Sequence, residues 1–215
     1  MYRHILFDLD GTLTDSQEGI IKSVAYALEK QGEETAGRLE QQVIIGPPLM
    51  LTFLDTFGFS PEKAQATYAF FQERYGTIGK FENRPFAGII HMLRQLQSAG
   101  SKAYVATSKP QVHAEAICEK FGLSPYLTEI AGSVLGGTED KAVVIDRVLR
   151  HIGSGAADSA VMVGDRKYDV IGARKTGIPV IYAAFGYGNE AERQEFPADY
   201  TVNSVAELTA LLLHS

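Results

Sequence analysis

The sequence predicts an α/β fold: a mostly parallel sheet with helices on both faces, interrupted once by an all-helical insertion. Three observations predict it. A short apolar run, Ile5-Leu6-Phe7, ends in an acidic cluster, as a buried parallel strand does at its carboxyl end. From Pro85 onward, strand-like and helix-like segments alternate. Between them, roughly residues 16 to 81, only helices and turns are legible. With 215 residues, 45% of them hydrophobic, the chain can bury a full core, and at about 150 residues per domain it spans between one and two domains. The boundaries expected are a core of residues 1–15 and 82–215 and an insertion of residues 16–81.

Each element has its local reason. Asp15 with Glu18 predicts a helix N-terminus, followed by Ile21, Val24, Ala25 and Leu28 on one face until Gly32. Ser60-Pro61 places an N-cap before a proline at the first helical position, and Ala64, Tyr68, Phe71 and Tyr75 follow before Gly76. Gly46-Pro47-Pro48 breaks the pattern between these two helices. In the second half, Ile89, Leu93 and Leu96 mark a helix ended by Gly100, then a strand at 103–106 leads into Thr107-Ser108-Lys109-Pro110 and a helix to Gly122. A strand near 127–131, a helix over about 141–151 and a strand at 160–163 come next. The last part predicts a helix to Gly177, strands at 179–183 and 200–202, and a final helix opened by a Ser204/Glu207 capping box.

Composition excludes several classes. Acidic residues outnumber basic ones 26 to 20, a net charge of −6, so non-specific attraction to nucleic acid or an anionic membrane is not expected. A single cysteine cannot form an internal disulfide, and no paired cysteines stand at zinc-finger spacing. No apolar run approaches the ~18 residues of a membrane span, and Asp8 interrupts the N-terminus before a signal-peptide core can form, so a cytoplasmic location is expected.

In an open α/β sheet, ligands sit at the carboxyl ends of the strands. The residues there are Asp8 and Asp10, Thr107 and Ser108, and Asp165 and Asp169. Carboxylates so close repel unless a cation lies between them, and a hard oxygen donor set suits Mg²⁺ better than zinc. A carboxylate beside such a cation can attack phosphorus while its neighbour shuttles the leaving-group proton, which assigns attack to Asp8 and acid/base work to Asp10. Thr107 and a lysine would hold the phosphoryl oxygens; Lys141 is the best-placed lysine and Lys109 its competitor.

Asp8-Leu9-Asp10-Gly11-Thr12-Leu13-Thr14-Asp15-Ser16 resembles motif I of the haloacid dehalogenase superfamily. Thr107, Lys141 and Gly164-Asp165-Arg166-Lys167-Tyr168-Asp169 resemble its three later motifs, in the same order. The resemblance implies a Rossmann-like three-layer core, a C1-type helical cap and an obligatory Mg²⁺. It also implies that Asp8 accepts the phosphoryl group, that the main-chain carbonyl of Asp10 and the carboxylate of Asp165 complete the metal site, and that Asp169 supports it. Thr107-Ser108-Lys109-Pro110, the Gly46-Pro47-Pro48-Leu49 loop and Gly186-Tyr187-Gly188 look most like the phosphoglycolate phosphatase group and its 5′-nucleotidase relatives. On that likeness, Ser108, Lys109 and Gly46 are expected to contact phosphate or substrate. Where that group commonly has Lys-Pro, this chain has Lys141-Ala142.

The expected activity is hydrolysis of small phosphomonoesters by a monomer or homodimer, without nucleic-acid or membrane partners. A phosphomutase of the β-phosphoglucomutase kind and a non-catalytic phospho-acceptor module stay open as alternatives. Gly186-Tyr187-Gly188-Asn189-Glu190-Ala191 formally fits a dinucleotide fingerprint, but its late position and acidic flank argue for a loop beside the active site. His4, His91, His113, His151 and His214 lack metal-ligand spacing and read as surface or helix residues. Cys118 and the aromatics Tyr68, Phe70, Phe71 and Tyr75 read as packing.

Overall fold

The computed structural model describes residues 2–35, 37–39 and 44–214. Its centre is a six-stranded parallel sheet in the order β5-β4-β1-β6-β7-β8, built from β1 (His4–Phe7), β4 (Lys102–Pro110), β5 (Leu127–Ser133), β6 (Ala160–Gly164), β7 (Val180–Ala183) and β8 (Tyr200–Val202). Alternation along β1 shows why both faces are covered. Ile5 and Phe7 point into one apolar layer with Val105, Val161 and Val163, and Leu6 points into the other with Met162 and Val180. The first layer is closed by α4 (Ile89–Ser98), α5 (Gln111–Lys120) and α9 (Val205–His214). The second is closed by α6 (Lys141–Ile152) and α7 (Lys167–Thr176). Cys118 packs in the first layer, fully buried.

The chain leaves β1 toward β4 on one side, while β6 pairs on the other, so strand order reverses at β1. Phe7 is in register with both Val105 and Val163, which sets Asp8 in the crevice opened by that reversal. The short α8 (Glu190–Glu195) lies between β7 and β8 in the chain.

The insertion carries α1 (Gln17–Lys30), the short α2 (Leu49–Leu51) running into a π-helical turn at Thr52–Thr56, and α3 (Pro61–Tyr75). These bury a separate cluster that includes Val24, Leu28, Phe53 and Phe71. Ser60 caps α3 as expected, its hydroxyl accepting the Lys63 N–H at 3.3 Å. Two local readings are corrected. The buried stripe of α1 is Ile20, Ser23, Val24, Ala27 and Leu28, with Ile21 and Ala25 only partly covered. The helix also starts after Ser16 rather than Asp15, and the phenol of Tyr187 accepts the N–H groups of Ser16 (2.8 Å) and Gln17 (3.0 Å) in place of a local cap. A small antiparallel pair, β2 (Thr14–Asp15) with β3 (Arg84–Pro85), ties together the two points where the chain enters and leaves the insertion. At two residues per strand it has no alternation for a sequence to display.

Candidate active site

The site is assembled from strand ends. Asp8 follows β1 directly, its N–H bonded to the carbonyl of Val163 at 2.9 Å. One of its carboxylate oxygens accepts the Leu9 N–H at 2.7 Å, and the other lies 2.9 Å from the ammonium of Lys141. Lys141 opens α6, and its buried side chain also lies 2.9 Å from Asp169 and donates to the carbonyl of Ala106 at 3.2 Å. Asp140 is the N-cap, accepting the Ala142 N–H at 3.1 Å. A proline at position 142 would have no N–H to make that bond.

Asp165 follows β6 and is fully buried. Its two oxygens accept the Thr12 hydroxyl (3.1 Å) and the Tyr187 N–H (2.8 Å). Gly186 makes this approach possible: a Cβ there would fall 2.3 Å from both the Asp165 Cβ and the Gly11 carbonyl. Asp169, in the first turn of α7, accepts the Arg166 N–H at 3.1 Å. One oxygen each from Asp8, Asp165 and Asp169 lie within 4.8 Å of one another. Burial, reinforced by Asp169 and Asp8, pushes the Asp165 carboxyl well above its ordinary range. Burial likewise raises Asp169, to about 6, although Lys141 pulls the other way. Burial alone would lower the pKa of Lys141, but Asp169 and Asp8 outweigh it and hold the ammonium charged.

When all three carboxylates are ionised, the cluster with its one ammonium carries two net negative charges in a buried space, which a divalent cation would neutralise. The donor set is all hard oxygen, so the residues fit Mg²⁺. The Asp10 carboxylate is not in this cluster. It turns toward the insertion, with one oxygen 2.9 Å from the ammonium of Lys109 and the other buried without a hydrogen-bond partner among the described residues. The metal set expected from sequence included Asp10 through its main chain; the third clustered side chain is that of Asp169.

The two competing lysines therefore serve different carboxylates. Lys109 also donates to the phenol of Tyr75, whose ring stacks on Phe71 with centroids 4.9 Å apart. Thr107 is buried, its hydroxyl oxygen accepting the Lys109 N–H at 3.2 Å while its proton remains available to another acceptor. Ser108 and Gly46 line the cavity that Asp8 and Asp10 face. Gly46, at φ +123°, passes over Arg166, and a Cβ there would fall 2.6 Å from the guanidinium. Arg166 is clamped by Glu192 of α8, at 3.0 and 3.1 Å. His113 is a helix residue as expected but a buried one, edge-on to Tyr75 and lining the same cavity, its pKa lowered to about 4 first by burial and then by Lys109.

Sequence reasoning passes over Thr12, Tyr75, Arg166 and the phenol of Tyr187. Thr12, Arg166 and Tyr187 stand inside the motifs that carry the resemblance; Tyr75 reads as packing, and nothing local to it signals Lys109.

The profile of the haloacid dehalogenase-like hydrolases matches residues 5–183, spanning every strand end described above except that of β8. The chain belongs to the haloacid dehalogenase-like hydrolase family. It is 40% identical over 216 aligned positions to a 5′-nucleotidase of Pseudomonas aeruginosa, covering 99% of this chain and 97% of that protein. It is 36% identical to the tyrosine-protein kinase PtkA of Mycobacterium tuberculosis over 86% of this chain, a match spanning 62% of the kinase's length. A crystal structure of a predicted phosphatase from Clostridium acetobutylicum superposes with a TM-score of 0.94 at 39% identity, covering 100% of both chains. No helix of this hydrolase, among the described residues, is long and apolar enough to cross a membrane.

Proposed function

We propose that this haloacid dehalogenase-like hydrolase is a Mg²⁺-dependent phosphatase that cleaves small phosphomonoesters through an aspartyl-phosphate on Asp8. One observation carries the reading: a buried carboxylate, Asp8, stands at the sheet's reversal point, with a buried lysine on one side and, on the other, an Asp10 carboxylate oxygen unpartnered among the described residues. The helical insertion acts as a cap that closes over the substrate and excludes water.

Asp8 attacks phosphorus, forming the carboxylate–phosphorus bond as the bond to the leaving oxygen breaks. Asp10 gives its proton to that oxygen through the carboxylate oxygen that Lys109 leaves unpaired. A water then attacks the acyl phosphate, Asp10 takes its proton, and phosphate leaves with Asp8 restored. Lys141 and the Thr107 hydroxyl hold the phosphoryl oxygens as charge redistributes among them. Asp8, Asp165 and Asp169 would hold Mg²⁺, with the Asp10 main-chain carbonyl as a further donor; the cation would supply charge neutralisation for the incoming dianion.

The test is phosphate release from 5′-nucleotides, 2-phosphoglycolate, sugar phosphates and pyrophosphate, with Mg²⁺ and with chelator. Multiple turnovers only with metal support the reading. A protein that accumulates stable phospho-aspartate without turnover, or that transfers phosphate between sugar phosphates without releasing it, rejects it.

A further inference from the structure

The lining of the active cavity points to the kind of alcohol that leaves. On the insertion side it is mostly apolar and aromatic, with Ile20, Ile45, Met50, Phe71 and Tyr75, and the uncharged amide of Gln72, paired with His113 at 2.7 Å, also lines it. The insertion contains six lysines and arginines, and each is engaged elsewhere. Lys22 pairs with Glu18 and Glu82, Arg74 with Glu82, and Arg38 and Lys63 with Glu33. Lys30 and Lys80 lie over the rings of Tyr26 and Phe81. On the core side, Lys109 is the lining cation among the described residues, and it is held by Asp10 and Tyr75. A substrate anion that captured Lys109 would strip Asp10 of its partner. The neighbouring cleft holds four cations among the described residues: Asp8 and Asp169 hold Lys141, Glu192 clamps Arg166, Asp140 pairs Lys175, and Lys167 lies over the rings of Tyr168 and Phe196, outside the lining of the active cavity.

A carboxylate or second phosphate on the leaving group would thus enter an apolar space with no uncommitted cation among the described residues, next to two carboxylates. We infer that the cavity selects phosphomonoesters of uncharged alcohols and rejects those whose leaving group carries a second anion. The inference rests on the phosphatase reading and narrows its substrate.

Matched substrates test it. With Mg²⁺ present, kcat/KM for 2-hydroxyethyl phosphate should exceed that for 2-phosphoglycolate, and adenosine 5′-monophosphate should exceed adenosine 3′,5′-bisphosphate, each by about tenfold or more. Gln72→Lys, which sets an ammonium into the cavity wall, should narrow the first ratio by about tenfold if charge is the cause. Equal or better turnover of the doubly anionic member of both pairs overturns the inference and leaves the phosphatase intact. No phosphate release from any of the four substrates or from p-nitrophenyl phosphate overturns both.

Discussion

The two walls of the cavity are built on opposite principles. On the core side, Asp8 faces the cavity and, behind it, Asp165, Asp169 and Lys141 occupy a space where each is nearly or fully buried. The insertion wall is mostly aliphatic and aromatic with no charged side chain among the described residues, and the insertion's charges are paired away from the cavity. Buried charge is tolerated only where reaction chemistry requires it, because each unpaired group costs several kcal/mol, about as much as a large share of a domain's net stability. The core wall is therefore confined to one arrangement, whereas the insertion wall can vary with the leaving group at small cost.

The sharpest way to break this division is Asp8→Asn. It keeps size and can accept from one of the two donors that face Asp8, and Lys141 keeps Asp169 as its partner, so the fold should persist while turnover falls by about 10³-fold or more. Metal-dependent turnover persisting in that variant would remove Asp8 as nucleophile. Lys141→Met comes next. It leaves Asp8 and Asp169 facing each other without their shared cation, and should cost the metal-free protein about 3–5 kcal/mol in urea denaturation. Saturating Mg²⁺ should recover part of that loss; an unchanged midpoint would mean the cluster is not strained.

The third prediction concerns pH. Burial raises Asp169 to about 6 and raises Asp165 as well, so in the metal-free protein both carboxyls hold their protons more tightly than free ones do. A protonated carboxyl does not ligate Mg²⁺, so apparent affinity should rise with pH, by about tenfold per unit and per proton displaced, and level once both groups ionise. Calorimetric titration between about pH 5 and 8 reads this directly, and a flat or falling affinity would contradict the raised carboxyls.

The smallest effect expected is on the insertion side. Tyr75→Phe keeps the ring stacked on Phe71 but removes the phenol that accepts from Lys109. For alkyl phosphates kcat/KM should fall about tenfold, because Lys109 no longer orients Asp10 for proton transfer. For p-nitrophenyl phosphate, whose leaving group needs no proton, it should stay within about twofold. Equal losses for both substrates would make Tyr75 a packing residue only.

Much of the core wall is legible in the order of residues alone. Ile5-Leu6-Phe7 followed by acids, and Ala160-Val161-Met162-Val163 followed by Gly164-Asp165, are contiguous patterns, and a buried parallel strand reports itself as an apolar run whose next residue faces the crevice. Helix α3 is legible because Ser60 and Pro61 cap it from within. Helix α1 misleads at its start because its cap comes from Tyr187, 171 positions away from Ser16.

From sequence alone follow the α/β order of elements, the carboxylates at the ends of β1 and β6, and the helical nature of the insertion. These are consequences of apolar period and of nearest neighbours in the chain. Tertiary structure alone decided that Lys141 serves Asp8 while Lys109 serves Asp10, that Tyr75 reaches the core, and that Tyr187 closes the site from the far end of the chain. Such contacts depend on how helices and strands are set against one another across the sheet's reversal point, and no local pattern of residues encodes that angle or distance.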